Sequence, residues 1–361
     1  MRADHHVIDL HIHSVHSDGT FTTHDLLNML WDKDVDIFSF TDHDSVGCYL
    51  DLEKGIASLY EGVTLIPGVE LTCQVDGQLR DMLGYGIDYH AIAAYLDERY
   101  SLDNRIRKQQ LILERFKEIG RRKGLIFDEE IQAMEGKKAE GYTVMFMELN
   151  RHPENIERFP FLGDATRLYW DHFTNPESDF YVDETFDLPT FEEAVDVIHR
   201  SGGMAFIAHP YVYGLSDEQT EMLIRRAVDA GAEGMELKHQ SNKKEHVGKL
   251  LSFAEKYGLD LSGGTDFHGF NKPGIKLVTA YGNMLVEYRE IKPWIENVGR
   301  WQRLKCDERF AAAGEGYQKM VDASAAERCG SSSAKCISGH CAGRNLVQFS
   351  SNQQYCSAPF A

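Results

Sequence analysis

The sequence predicts an α/β protein in which a mainly parallel sheet or barrel is flanked by helices. Strand-like and helix-like segments alternate over residues 1–94 and again from Thr190 onward. Histidines and carboxylates recur where the predicted strands end. In parallel α/β folds, C-terminal strand ends are where catalytic groups gather.

Residues 7–13 form the first predicted strand. Thr23 is the expected cap of a helix carrying Leu26, Leu27, Leu30 and Trp31 at helical spacing. Residues 35–41 form a second strand, and residues 63–70 a third. Asp76-Gly77 predicts a hairpin turn with arms at 71–75 and 79–84. Residues 96–124 are charged and helix-like, with Ile106, Leu111, Leu113, Phe116 and Ile119 at helical spacing, and an irregular stretch with Pro153, Pro160 and Pro176 follows. The interval 95–185 therefore reads as a mostly helical insertion or cap. Beyond it come helices at 192–200, 218–230 and 244–257, with strands at 204–209, 234–238 and 259–266. The expected organisation is a discontinuous body, 1–94 and 186–300, an insertion at 95–185 and a low-complexity tail at 301–361.

The chain has 361 residues, of which 42% are hydrophobic, enough for a sizeable core. Its formal charge of −19 makes it a poor electrostatic partner for polymeric nucleic acid or an anionic membrane. An anionic substrate would need cations, or a few placed Arg and Lys residues. No signal-like apolar segment opens the chain, and no apolar run approaches the ~20 residues that span a bilayer. The expected location is cytoplasmic, without a membrane partner. Nothing in the sequence sets an oligomeric state. Cys48 and Cys73 are the only cysteines before residue 300, so the body is no disulfide scaffold. Cys306, Cys329, Cys336, Cys341 and Cys356 crowd the tail in spacings that match no standard zinc finger.

The chemistry-bearing residues lie at strand ends. Asp9, His11 and His13 alternate along the first strand and share a face. His11 and His13 can grip one cation, while Asp9 is placed to orient an imidazole from behind. Asp18 offers a hard oxygen in the next loop. The second strand ends in Thr41-Asp42-His43-Asp44, the third at Glu70, and the hairpin's return arm carries Asp81. His209-Pro210 and Gly264-Thr265-Asp266-Phe267-His268 close two later strands. A lone histidine at a strand end is usually a structural hydrogen-bonder, but five such strand ends point to a metal centre. Imidazole and carboxylate ligands without thiolate suit Mn, Fe or Zn, and also Mg. Closely placed cations convert water to hydroxide and clamp the oxygens of an attacked phosphate.

The segments Asp9-Leu10-His11-Ile12-His13-Ser14, Thr41-Asp42-His43, Pro67-Gly68-Val69-Glu70, Ala208-His209-Pro210 and Gly264-Thr265-Asp266-Phe267-His268 resemble, in this order, the PHP family, the polymerase-and-histidinol-phosphatase metal hydrolases. The resemblance spans residues 5–90 and 186–285. It implies a distorted (β/α)7 TIM-like barrel with a mostly helical insertion. It also implies two to three divalent cations. His11, His13, Glu70 and Asp266 would hold the first; Glu70, His209 and Asp81 the second; Asp18, His43 and His268 the third. His209 and His43 are candidates to protonate the leaving group. Two features depart from the family pattern. Asp81 stands where the family usually has His, which points toward a bisphosphatase or cyclic-phosphodiesterase branch. The family's Gly-Arg-Pro-His element is absent from residues 120–185.

Arg105 and Lys108 fall where phosphatase relatives carry a phosphate-binding basic pair, and at i, i+3 they share a helix face. Lys238, two residues after Glu236, is expected to point into the mouth of the site. Lys243 and Lys244 read as surface lysines, and Arg80 should face away from Asp81. The expected activity is hydrolysis of a small phosphorylated metabolite: a nucleotide bisphosphate, a sugar phosphate or a cyclic phosphodiester. The alternatives are an amidohydrolase-type C–N hydrolase, which also opens with His-x-His, and a non-catalytic metal-binding module.

Overall fold

A computed structural model describes residues 6–54, 63–133, 141–296 and 298, together with the backbone of 302–303. The reading of the 301–361 tail and its cysteines falls almost wholly outside these residues. The fold is mixed α/β, with two sheets and helices packed around them.

The first sheet runs β1 (Ile8–Ile12), β2 (Ile37–Phe40), β3 (Thr64–Leu65) and β9 (Gln302–Arg303), with β1, β2 and β3 parallel and β9 antiparallel. The second runs β4 (Gly68–Val75), β5 (Gln78–Tyr85), β6 (Met204–Ile207), β7 (Gly234–Lys238) and β8 (Asp260–Gly263). Here β4–β5 and β5–β6 are antiparallel, and β6–β7–β8 are parallel. The sheet is thus less uniformly parallel than the alternation suggested. The Asp76-Gly77 turn is where the sequence put it, with both residues at positive φ, 51° and 74°, as a two-residue hairpin requires.

The two sheets meet at both sides through their strand ends. His43 bridges to Glu70, and Ile12 bridges to Phe267. Asp44 N donates to Glu70 O at 2.9 Å, and His13 N to Phe267 O at 3.0 Å. These two seams bring His11–His13, Asp42–Asp44, Glu70 and Asp266–His268 onto one rim. Asp9 braces the second seam. Its buried carboxylate accepts Thr265 N (2.9 Å), Thr265 Oγ1 (2.7 Å) and Val278 N (2.8 Å).

Helices α1 (Thr23–Trp31) and α2 (Gly47–Glu53) follow the first strands, and α3 (Tyr89–Arg99) follows the hairpin. The insertion holds α4 (Leu102–Lys123), α5 (Gly141–Leu149), α6 (Pro153–Arg158) and α7 (Ala165–Arg167). Then come α8 (Phe191–Arg200), α9 (Asp217–Asp229), α10 (Lys244–Tyr257) and α11 (Tyr288–Ile295). Leu26, Ile198, Ile224 and Leu250 of four helices share one core with Phe38, Leu71, Met82, Ile207 and Met235 of the strands. A second core joins both sheets through Ile8, Leu10, Ile37, Leu83, Tyr85 and Phe206, with the buried Trp294 of α11 stacked on Tyr85 at 5.3 Å. The insertion has its own core around Leu113, Phe116, Tyr142, Met145 and Phe173. No described helix is long and apolar enough to cross a membrane.

Three elements differ from expectation. The strand expected at 63–70 is two strands in different sheets, because Pro67 has no N–H for a ladder while its carbonyl accepts Gly86 N. The helix expected at 96–124 breaks at Tyr100–Ser101, where Tyr100 turns its hydroxyl to Asp44 Oδ2 at 2.8 Å. The cap of α1 is Thr22, in a capping box with Asp25, and Thr23 is buried one position later. Asp9→Asn replaces an acceptor-only group with an amide that turns N–H toward donors. Thermal and urea unfolding should show a loss of roughly 2–3 kcal/mol; a loss below about 0.5 kcal/mol would contradict the bracing role.

Candidate metal centre

Each strand end delivers its side chains to one buried cluster around Glu70. His11 Nε2 and His13 Nε2 lie 3.1 Å apart and both approach Glu70 Oε2, at 3.1 and 3.2 Å. Asp266 Oδ1 is 3.3 Å from His13 Nε2 and 3.7 Å from His11 Nε2. The other Glu70 oxygen meets His209 Nε2 at 2.9 Å, and His43 Nδ1 lies 3.4 Å from Oε2. His268 Nε2 lies 3.0 Å from Asp18 Oδ1. Three groups of possible ligand atoms lie within 4.8 Å of one another: His11, His13 and Glu70; His43, Glu70 and Asp81; His13, Asp18, His43 and His268. The sets overlap more than the sequence implied. His13 joins the group of Asp18 and His268, and His43 joins that of Glu70 and Asp81.

The donor set fits divalent cations. Asp18 Oδ1, His43 Nδ1, Asp81 Oδ1, His209 Nδ1 and His268 Nε2 are buried without a well-formed hydrogen bond, although His268 Nε2 and Asp18 Oδ1 face each other at 3.0 Å and His43 Nδ1 lies 3.4 Å from Glu70. Buried polar atoms without well-formed partners are costly unless something such as a cation satisfies them. The electrostatics agree. Burial opposes charge on His13, but hydrogen bonds to Asp266 and Glu70 outweigh it and raise its pKa to about 9. Burial likewise opposes charge on His11, yet Glu70 and Glu236 hold its pKa well up. Glu70 is pulled well down against burial by His43 and His11, and Asp266 by His13 and His239. Asp81 is pushed up by burial and by the Glu70 charge. The cluster thus pairs buried acids with protonated imidazoles, an arrangement in which dications can take the place of protons.

A ring of further residues aims the cluster. Glu236 Oε1 meets His11 Nδ1 at 3.0 Å, and its Oε2 accepts His209 N at 3.0 Å. Asp42 accepts Ser14 N, Ser14 Oγ and Ser17 Oγ at 2.6–2.7 Å. His239 Nε2 meets Asp266 Oδ2 at 3.0 Å, the oxygen that Lys272 Nζ also reaches at 2.5 Å. Tyr213 donates to Asp81 Oδ2 at 3.1 Å and accepts Asp81 N.

Several expectations are corrected. Asp9 accepts from the backbone of His11, not from an imidazole; the acid behind the His11 ring is Glu236. Lys238 is half-buried with its ammonium 3.4 Å from Glu290 Oε1 and lines a pocket beside His239, and a bulge between Glu236 and Lys238 shifts the alternation so that His239 meets Asp266. Arg105 is exposed and Lys108 half-buried on α4, and neither is among the residues that meet around Glu70. Arg80 does not face away: its guanidinium lies 4.4 Å from the ring centre of Tyr213, which holds Asp81. Period-two alternation from Leu237 could have found Glu236, whereas a bulge has no such signal.

No family model matches the chain. It is 27% identical over 268 residues to a 5'-3' exoribonuclease of Haemophilus influenzae, covering 72% of this chain and 89% of that protein. It is 29% identical to a 3',5'-nucleoside bisphosphate phosphatase of Chromobacterium violaceum, covering 74% and 89%. It is 26% identical to a phosphoribosyl 1,2-cyclic phosphate 1,2-diphosphodiesterase of Eggerthella lenta, covering 72% and 94%. A solved structure of an amidohydrolase from Chromobacterium violaceum, with bound sulfate and no metal, superposes with a TM-score of 0.55 at 26% identity, covering 82% of this chain and 98% of that one. The three relatives are named as an exoribonuclease, a phosphatase and a phosphodiesterase, and taken with the cluster of buried imidazoles and acids these likenesses identify the chain as a hydrolase of phosphoric esters.

Proposed function

We propose that the chain removes or opens a phosphate ester on a small metabolite, at a centre of two to three divalent cations held by His11, His13, Asp18, His43, Glu70, Asp81, His209, Asp266 and His268. The observation that carries the reading is the gathering of ligand atoms into three overlapping groups, each within 4.8 Å, that share His13, His43 and Glu70. Mn, Fe or Zn suits these donors, and Mg the carboxylate-rich part. Bound there, such cations supply Lewis acidity, acidifying water and neutralising charge on the phosphoryl oxygens.

The residues have separable tasks. Glu70 has imidazoles on both oxygens and so stands where one carboxylate can serve two ions. Glu236 fixes the His11 ring, and Tyr213 fixes Asp81. The His43 side chain is 31% exposed while His11 and His13 are fully buried. It can therefore meet both substrate and water, and with Nδ1 turned to Glu70 its Nε2 is the nitrogen left to give a proton to the leaving alkoxide. His209, nearly buried against Glu70, is the second candidate for that step.

The wider reading is a distorted (β/α)7 barrel formed by 1–94 and 186–300, with 95–185 as a cap. The bridges at both seams support it, as does the separate core of the insertion. Substrates in keeping with the relatives' names are nucleotide bisphosphates, cyclic phosphates and the end of a short RNA, alongside sugar phosphates. An amidohydrolase chemistry is less well served, because Glu70, with imidazoles on both oxygens, would take the place that a modified lysine holds there.

Metal-loaded protein should release phosphate or open a phosphodiester in a screen of phosphorylated metabolites. Glu70→Ala and Asp266→Ala should each lose metal by elemental analysis and lose activity; full activity in both would refute the site. Glu236→Gln should keep the fold but weaken metal affinity about 10- to 100-fold, read by chelator competition. Unchanged affinity would show that the His11 ring needs no such support.

A further inference from the structure

A large aromatic side chain stands in water beside the metal centre. Phe270 is 77% exposed, the most exposed large hydrophobic among the described residues. It lies two residues after His268 and two before Lys272, whose ammonium rests on Asp266 Oδ2. Leaving such a ring in water forgoes roughly 2 kcal/mol of burial, so its position calls for a cause.

The backbone that presents it is held firmly. Phe270 N donates to Thr20 Oγ1 at 2.9 Å, and Asn271 Nδ2 donates to Asp18 O at 2.7 Å. Gly269 has φ +66°, and a Cβ there would meet Thr20 Oγ1 at 2.1 Å. The bend is thus tied to the loop that carries Asp18. Beneath the exposed ring runs a ladder of aromatics. Buried Phe267 stacks with Phe21 at 5.9 Å, and Phe21 packs on Phe270 at 5.3 Å. The ladder climbs from the Asp266–His268 motif to the rim and ends with a ring open to solvent.

We propose that Phe270 is a stacking platform for the nucleobase of a nucleotide substrate, whose phosphate lies against Lys272 and the metal centre. This rests on the phosphoesterase reading above and narrows its substrate to phosphate esters that carry a base. A planar base extends the ladder by one ring, and stacking is tolerant of which base it is. The half-exposed Lys272 supplies a positive charge on the same loop.

The test compares adenosine 5'-monophosphate with ribose 5-phosphate. With metal-loaded wild type, kcat/KM should favour the nucleotide. In Phe270→Ala that preference should fall about tenfold, mainly through KM, as expected for one lost base stack. Phe270→Trp should restore it. In parallel, saturation-transfer NMR should show contact to the adenine H2 and H8 protons in wild type and its loss in Phe270→Ala. An unchanged preference together with unchanged saturation overturns the proposal. So does an equal fall for both substrates, which would mean only that the rim has shifted. Should wild type cleave neither ester, the saturation experiment decides alone: loss of adenine contact in Phe270→Ala upholds the stacking site and unchanged contact overturns it, while the phosphoesterase reading stands or falls with the metabolite screen above.

Discussion

Burying acids and imidazoles together is the constraint on which this molecule turns. Asp9, Asp42, Glu70, Glu236 and Asp266 are all at most 3% exposed. Removing a carboxylate from water costs several kcal/mol unless something replaces the water. The replacements fall into two kinds. Asp9 and Asp42 are satisfied by amide and hydroxyl donors, on both oxygens. Glu70 and Asp266 face imidazoles and a lysine, and Asp81 keeps one oxygen with no partner. The first kind is complete without an ion, and it braces loops. In the second the partners are groups that can themselves face a cation, and an acceptor is left open at Asp81. The partner atoms, more than the residue type, separate framework acids from ligand acids.

That division depends on where the two sheets meet. A continuous ladder would spend the backbone groups at the strand ends on neighbouring strands. Here the seams at His43–Glu70 and Ile12–Phe267 are single bridges, so the chain can turn inward on both sides. Asp44, His209 and Asp266 all have positive φ, at 44°, 26° and 53°. Non-glycine residues seldom adopt this conformation, and it concentrates at functional sites where surrounding structure enforces it. At Asp266 the enforcement is visible. Its neighbour Thr265 is held by Asp9 through both amide and hydroxyl, while His239 and Lys272 hold the carboxylate.

Much of this was legible in the sequence because side-chain alternation is a strong local signal. His11 and His13 on β1, and the turn at Asp76-Gly77, follow from spacing alone. What was hidden is set by nonlocal geometry. Pro67 splits one apolar run between two sheets, a choice that depends on which strands lie beside it. The break at Tyr100 is tied to a hydroxyl that reaches Asp44 across 56 positions of sequence. His239 reaches Asp266 through a bulge that depends on pairing with β8. Glu236 enters the sequence reading only as the spacing reference for Lys238, because no motif surrounds it.

The net charge of −19 looks ill-suited to a phosphate ester until charge is counted at the site. Asp18, Glu70, Asp81 and Asp266 bring about four negative charges, and two to three dications would bring about four to six positive ones. The loaded centre would then be neutral to positive inside an acidic protein. Such a field draws an anion to one point and repels it elsewhere. A single phosphate group, or the end of a short chain, matches that pattern. A long polyanion, whose affinity comes from many spaced phosphate contacts, would meet repulsion away from the rim. Local positive charge set in a negative surround would act on whichever phosphate lies within reach of the cluster, on a small ester or at the end of a chain alike.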